Sequence, residues 1–147
     1  MPDHTRLPPE TFSSVAPLTI RVYYEDTDAA GVVFYANYLK YFERARTEWL
    51  RSLGIEQSEL IANENLMFIV RNVSARYIAP ARLDDEVLIE TQVKQVGAAS
   101  VQFEQTALRD NEPLCTSQIE VCCINAQTFL PTRLPDQLRS LFKKVQN

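Results

Sequence analysis

The sequence predicts an α+β domain in which an antiparallel sheet wraps around one long helix, and three observations predict it. Tyr38, Phe42, Ala45, Trp49 and Leu53 recur at three- or four-residue steps, so one helix carries them as a single apolar stripe. Downstream, segments of alternating apolar and polar residues follow one another across short turns, the pattern of an antiparallel meander. The chain has 147 residues, 46% hydrophobic and 23% charged, which is one globular domain with room for a core.

In chain order, residues 1–17 hold four of the eight prolines and no apolar periodicity. They read as a flexible N-terminal arm ahead of a single domain, residues 18–147. His4, the one histidine, falls in that arm, which removes the commonest general base from the candidates. Leu18, Ile20, Val22 and Tyr24 alternate with polar neighbours as a first strand. The acidic turn Glu25-Asp26-Thr27-Asp28 breaks it, and the chain crosses Gly31 into the long helix, which Gly54 closes. Ile55 to Asn63 reads as a short helix or loop with Ser58 as a candidate cap. Leu66 to Ala79 is a strand with Phe68, Val70, Val73, Ala75 and Tyr77 available for burial; its change of phase requires a bulge near Asn72.

Pro80 ends that strand, and Asp84-Asp85 turns the chain into Glu86–Val96. Val96-Gly97-Ala98-Ala99 reads as a hairpin connection. Ser100–Arg109 follows, with Val101, Phe103, Gln105 and Ala107 on one face. The turn Asp110-Asn111-Glu112-Pro113 leads to a last strand, Leu114–Ala126, with Ile119, Val121 and Cys123 on one side. From Pro135 a short C-terminal helix aligns Leu134, Leu138, Leu141 and Val145.

The composition also excludes. Net charge is −4 and the basic residues are scattered, which argues against nucleic-acid binding. No apolar run approaches the roughly 18–20 residues that span a bilayer. The N-terminus has no apolar signal core, so a soluble cytoplasmic protein is expected. Cys115, Cys122 and Cys123 lie in strand-like surroundings, and adjacent Cys122 and Cys123 point to opposite faces. With one histidine in the chain, a zinc site is not expected, nor any other metal; reduced structural thiols are.

One run of residues carries more than periodicity. Tyr24-Glu25-Asp26-Thr27-Asp28-Ala29-Ala30-Gly31-Val32-Val33-Phe34-Tyr35-Ala36-Asn37-Tyr38, followed by Phe42-Glu43-Arg44-Ala45-Arg46, resembles the hotdog-fold acyl-CoA thioesterases. The likeness is strongest to their Tol–Pal-associated (YbgC-type) branch, which is related to 4-hydroxybenzoyl-CoA thioesterase. It extends from Leu18 to Ala126, the later strands matching in pattern, as in Tyr77-x-x-Pro80 and Asp85-Glu86-Val87-Leu88. It implies hydrolysis of acyl-CoA to free acid and CoA without a metal or organic cofactor. It also implies a hotdog homodimer with active sites at the subunit interface, often paired into a homotetramer. The family's catalytic aspartate falls on Asp28, and its carbonyl-polarising backbone N–H falls on Tyr35 at the start of the central helix. Close Tol–Pal-associated relatives often carry histidine at this last position, a change that bears on substrate fit more than on chemistry.

Thioester hydrolysis needs an activated nucleophile and donors for the oxyanion. A helix N-terminus supplies unpaired N–H groups and partial positive charge. Asp28 is suited to act as general base for water or to attack the carbonyl itself through a mixed anhydride. Taken alone, an Asp-x-Asp loop is equally an ordinary turn or cap. Glu25 and Asp26 read as solvated or capping. Glu43 and Glu48 occupy the helix on which other hotdog thioesterases place a catalytic glutamate, but an i,i+4 ion pair between Arg44 and Glu48 is the simpler reading. Gly31 permits close backbone approach to substrate. Phe34 and Tyr35 are candidates to line an acyl slot, and Tyr38 and Tyr41 fit better as core. Arg71, Arg76 and Arg82 are candidates for the CoA phosphates, with Asn72 and Ser74 for pantetheine. The alternative function is a non-hydrolytic acyl-CoA or acyl-carrier-protein binding scaffold using the same groove. A hotdog dehydratase or hydratase is disfavoured, since those chemistries lean on histidine.

Overall fold

The computed structural model describes residues 17–146, so the expected arm, Pro17 apart, and His4 lie outside the described residues. The elements run β1 (Leu18–Arg21), a 3-10 turn (Tyr24–Asp26), α1 (Asn37–Ser52), α2 (Gln57–Glu64), β2 (Leu66–Tyr77), β3 (Glu86–Val96), β4 (Ser100–Arg109), β5 (Glu112–Asn125) and α3 (Asp136–Lys144). All five strands form one antiparallel sheet in the order β1-β3-β4-β5-β2. Asp110 and Asn111 make the β4–β5 turn with φ of 51° and 66°, the left-handed geometry that suits a two-residue hairpin.

The α1 stripe packs on the sheet as its spacing requires. Tyr38, Phe42, Ala45 and Trp49 are buried, and Trp49 sits edge-on to Phe103 at 5.5 Å and stacked on Phe142 at 6.3 Å. Facing them are Val87, Ile89 and Val93 of β3, Val101, Phe103 and Ala107 of β4, and Ile119 and Cys123 of β5. Gly54 ends the helix at φ +85°: its N–H donates to Arg51 O, and that of Ile55 to Leu50 O, the two bonds of a Schellman closure. All three cysteines are buried and unpaired.

Several expectations need correction. Tyr24 does not continue the buried face of the first strand; the chain enters the 3-10 turn there, leaving Tyr24 82% exposed. Ser58 lies inside α2, whose N-cap is Glu56. In α3 the side chain driven deepest is Phe142, flanking the Leu138 stripe. The bulge falls where the phase change requires it, between Val70 and Asn72. However, Val70, Val73 and Tyr77 are exposed rather than buried. β2 is an edge strand paired only with β5, so apolar side chains at Ile69, Val70 and Val73 are left on open surface.

Candidate active site

The segment from Asp26 to Asn37 is a tight loop pinned at both ends. Short bridges join Thr27 to Val33 and Val32 to Arg82, and the Val33 N–H donates to Ala81 O at 2.8 Å. At the tip, the Asp28 N–H donates to Val32 O and the Gly31 N–H to Asp28 O, both at 2.9 Å. Gly31 adopts φ +77°, which a side chain would resist. Asp28 accepts the Ala30 N–H on Oδ1 at 2.9 Å; the residue is exposed, and among the described residues nothing donates to Oδ2. One oxygen holds the turn and the other faces solvent.

Asp26, expected to be solvated or capping, is buried and caps. Its Oδ2 accepts the Tyr23 N–H at 2.9 Å, closing the 3-10 turn. Its backbone carbonyl accepts from the Phe34 N–H at 2.9 Å and from Asn37 Nδ2 at 2.8 Å, fixing how the chain enters α1. Burial, and after it the nearby Asp26 carboxylate, holds the Tyr41 phenol well above its ordinary range.

Tyr35 lies just outside the helix rather than at its start, because α1 begins at Asn37 after an Ala36 N-cap that is already helical (φ −68°, ψ −20°). The Asn37 N–H folds back to Phe34 O and the Tyr38 N–H to Tyr35 O. Among the described residues, the N–H groups of Tyr35 and Ala36 donate to nothing. Beside them opens a groove of about 270 Å³ lined by Val33, Tyr35, Tyr38, Tyr77, Ile78 and Pro80. Tyr35 packs edge-on to Tyr77 at 5.9 Å and against Phe34 at 4.8 Å. Phe34 and Tyr35 are exposed, whereas Tyr38 and Tyr41 belong to the core. The Tyr38 hydroxyl accepts the Ala81 N–H at 3.2 Å, and burial raises its pKa.

Asp28, Gly31, Phe34 and Tyr35 therefore share one loop, and the Val32–Arg82 bridge brings the backbone of Arg82 beside it. Arg76 is exposed next to Tyr77 at the groove end of β2. Arg71 is separated from the groove: it sits in the bulge, about 20 Å along the strand from Tyr77, and pairs with Glu120 at 3.1 Å. Asn72 and Ser74 are exposed between them. The expected Arg44–Glu48 pair does not form; Glu48 bonds Arg51, and the Arg44 guanidinium lies 6.0 Å from the Tyr41 ring centroid.

A second, larger cavity of about 550 Å³ opens between α1 and the sheet, lined among others by Glu43, Arg46, Leu50, Phe68, Phe103 and Phe142. Arg46 is only 8% exposed, and its Nη1 donates to Gln105 Oε1 at 2.9 Å. Gln105, fully buried, donates from Nε2 to Phe42 O and Thr91 Oγ1, each at 2.9 Å. Burial lowers the Arg46 pKa, with Glu43 opposing the shift. The sequence carried a signal for this site: Arg46 stands four residues after Phe42 and three before Trp49, on the margin of the stripe. Among the described residues no group of His, Cys, Asp or Glu side chains is placed to hold a metal ion, and no helix is long and apolar enough to cross a membrane.

The curled sheet over a central helix, with a carboxylate loop leading into the helix N-terminus, is the hotdog arrangement, and the chain belongs to the thioesterase-like superfamily, whose profile matches residues 22–142. Its relatives share most of their length with it. It is 41% identical to the acyl-CoA thioesterase YbgC of Haemophilus influenzae across 86% of this chain and 93% of that one. It is 40% identical to the acyl-CoA thioester hydrolase YbgC of Escherichia coli O157:H7 across 85% and 93%. Among solved structures, a probable thioesterase from Bartonella henselae superposes with a TM-score of 0.78 at 35% identity, covering 81% of this chain and 98% of that one.

Proposed function

We propose that this protein hydrolyses acyl-CoA thioesters, with residues 18–147 as one catalytic domain and Asp28 as its general base or nucleophile. The observation that carries the reading is the loop itself. It holds an exposed aspartate at its tip and, at its junction with α1, N–H groups that have no acceptor among the described residues, beside an aromatic groove. A thioester carbonyl seated at that junction accepts the Tyr35 N–H, and the nearby helix N-terminus favours the charge that grows on its oxygen. Asp28 then takes a proton from water as the water oxygen bonds to carbon, or bonds to that carbon itself. In either route the C–S bond breaks and CoA leaves as the thiol once protonated. Water hydrolyses the mixed anhydride in the second route. Phe34 and Tyr35 flank the acyl or pantetheine path, Gly31 lets the backbone approach, and Arg82, whose backbone is bridged to Val32, and Arg76, next to Tyr77 in β2, are the candidates for the CoA phosphates. The names of the YbgC relatives support acyl-CoA as the thioester. An acyl carrier protein would present the same thioester on a different carrier.

The open β2 edge supports a homodimer in which two such edges pair antiparallel about a twofold axis. That pairing covers Ile69, Val70 and Val73 and carries the groove, which begins at Tyr77, to the interface.

The test is thiol release from short, long and aromatic acyl-CoAs by wild type and Asp28→Asn. Wild type should turn over at least one thioester, and the variant should lose about 10²-fold or more of kcat/KM while keeping its far-UV spectrum. Binding of acyl-CoA or acyl carrier protein with no thiol release by either protein would replace hydrolysis with the scaffold reading.

A further inference from the structure

The loop that carries Asp28 rests on a ledge, residues 80–85, which joins β2 to β3. The Val33 N–H donates to Ala81 O, the backbone of Val32 bridges to that of Arg82, and the Ala81 N–H donates to the Tyr38 hydroxyl. Phe34 and Tyr35 follow Val33 directly, so a shift of the ledge carries over to the Tyr35 N–H.

One side chain grips the ledge at both ends. Arg109, the last residue of β4, donates from Nη1 to Pro80 O at 3.1 Å and to Asp85 Oδ2 at 2.7 Å. The same Asp85 oxygen accepts the Arg82 N–H at 2.8 Å, and the Asp85 N–H closes the turn onto Arg82 O at 3.0 Å. Arg109 Nη2 reaches away from the ledge, to Glu112 Oε1 of β5 at 3.4 Å. The Arg109 and Asp85 side chains are 23% and 24% exposed, so water screens this pair less than it screens an open surface pair. Burial works against ionisation of Asp85, yet the Arg82 N–H and the Arg109 guanidinium hold its carboxyl below the usual range. A planar fork holds two acceptors of one segment in fixed geometry, which a flexible ammonium does not.

We propose that Arg109 is a positioning residue for thioester hydrolysis: by clamping Pro80 and Asp85 it fixes the ledge, and through Ala81 and Arg82 it fixes the Tyr35 N–H against Asp28. Arg109 acts through these backbone contacts and not on the substrate. The proposal rests on the thioesterase reading, and it names a residue outside both the loop and the groove.

The experiment measures thiol release and amide hydrogen exchange on the full chain for wild type, Arg109→Met, Arg109→Lys and Glu112→Gln. Displacing reacting groups by about 1 Å costs up to about 10²-fold in rate. Arg109→Met should therefore lower kcat per folded molecule by about tenfold or more while KM stays within about threefold, the split expected when alignment rather than binding is lost. Exchange at the Val33 N–H should quicken in the same variant. Arg109→Lys keeps the charge beside Asp85 without the two-point grip and should recover part of kcat. Glu112→Gln removes the arm that leaves the ledge and should leave both readouts at wild-type values. If Arg109→Met does not fold, Arg109→Lys and Asp85→Asn, which keeps an oxygen for the Arg82 N–H, decide by the same two readouts. An unchanged kcat per folded molecule, or Val33 exchange that does not rise, overturns the proposal; a merely structural Arg109 would lower the urea midpoint alone. If wild type releases no thiol from any acyl-CoA, the thioesterase reading fails separately. Val33 exchange then decides whether Arg109 positions the loop: faster exchange in Arg109→Met supports it, and unchanged exchange overturns it.

Discussion

Gln105→Leu tests the polar tie between helix and sheet. In the native chain Gln105 Nε2 bridges Phe42 O and Thr91 Oγ1, and its Oε1 accepts from the buried Arg46. Leucine keeps the approximate volume but removes all three bonds and leaves Arg46 without a protein acceptor among the described residues. Neutral hydrogen bonds contribute about 1 kcal/mol each and one to a charged group about 1.5–3 kcal/mol. The expected loss is therefore about 3–5 kcal/mol, within the roughly 5–15 kcal/mol that holds a domain of this size. Trp49, the one tryptophan, is buried beside this region and reports unfolding in urea at fixed protein concentration. Arg46→Met alone should cost about 2 kcal/mol by orphaning Gln105 Oε1. The double variant should cost less than the two singles together by about 1 kcal/mol or more, since neither partner is then left facing an empty place. A Gln105→Leu cost below about 1 kcal/mol, or additivity within about 0.5 kcal/mol, would refute the reasoning.

Three further outcomes are expected. Gly54→Ala should lower the melting temperature through about 1–2 kcal/mol of left-handed backbone strain; no atom lies within 4 Å of the added Cβ, so Gly54→Asn should recover much of it, and a neutral Gly54→Ala would contradict the Schellman closure. Burial pushes the thiol of Cys115 up to about 12, and burial followed by the neighbouring Cys122 pushes Cys123 up to about 11, from an ordinary 9.0. A proton held more tightly in the folded state stabilises it fully below pH 9, and that stability is lost as pH rises from 9 towards 11 and 12; urea midpoints should fall over this range and fall less in Cys115→Ala/Cys123→Ala. Val73→Arg, at a 40% exposed edge position, should weaken self-association in sedimentation velocity without changing the far-UV spectrum, and an unchanged oligomer would exclude the β2 edge as the interface.

The parts of this protein legible in the sequence are those that local periodicity dictates. The α1 stripe, the alternating inner faces of β3, β4 and β5, the bulge near Asn72 and the closing Gly54 each follow from geometry repeated every two or 3.6 residues, or from one positive φ. The loop from Asp28 to Tyr35 was legible through its long run of residues. The arrangement of its two aspartates was not. Asp26 and Asp28 are the same side chain two positions apart, and only the 3-10 turn puts the first inside, bonded to the Tyr23 N–H, and the second outside. Strand order likewise lies beyond local pattern: Val70, Val73 and Tyr77 read as core until pairing sets β2 at the edge, where one side of the strand has no neighbour to bury it. Arg46 stands in the sequence only as one residue of the family motif, and it is the packing of α1 over Gln105 and Thr91 that removes it from water. The sequence alone determined which segments fold and which faces are apolar. Only the tertiary structure decided which charges are desolvated, because desolvation depends on what other parts of the chain come to lie against a side chain.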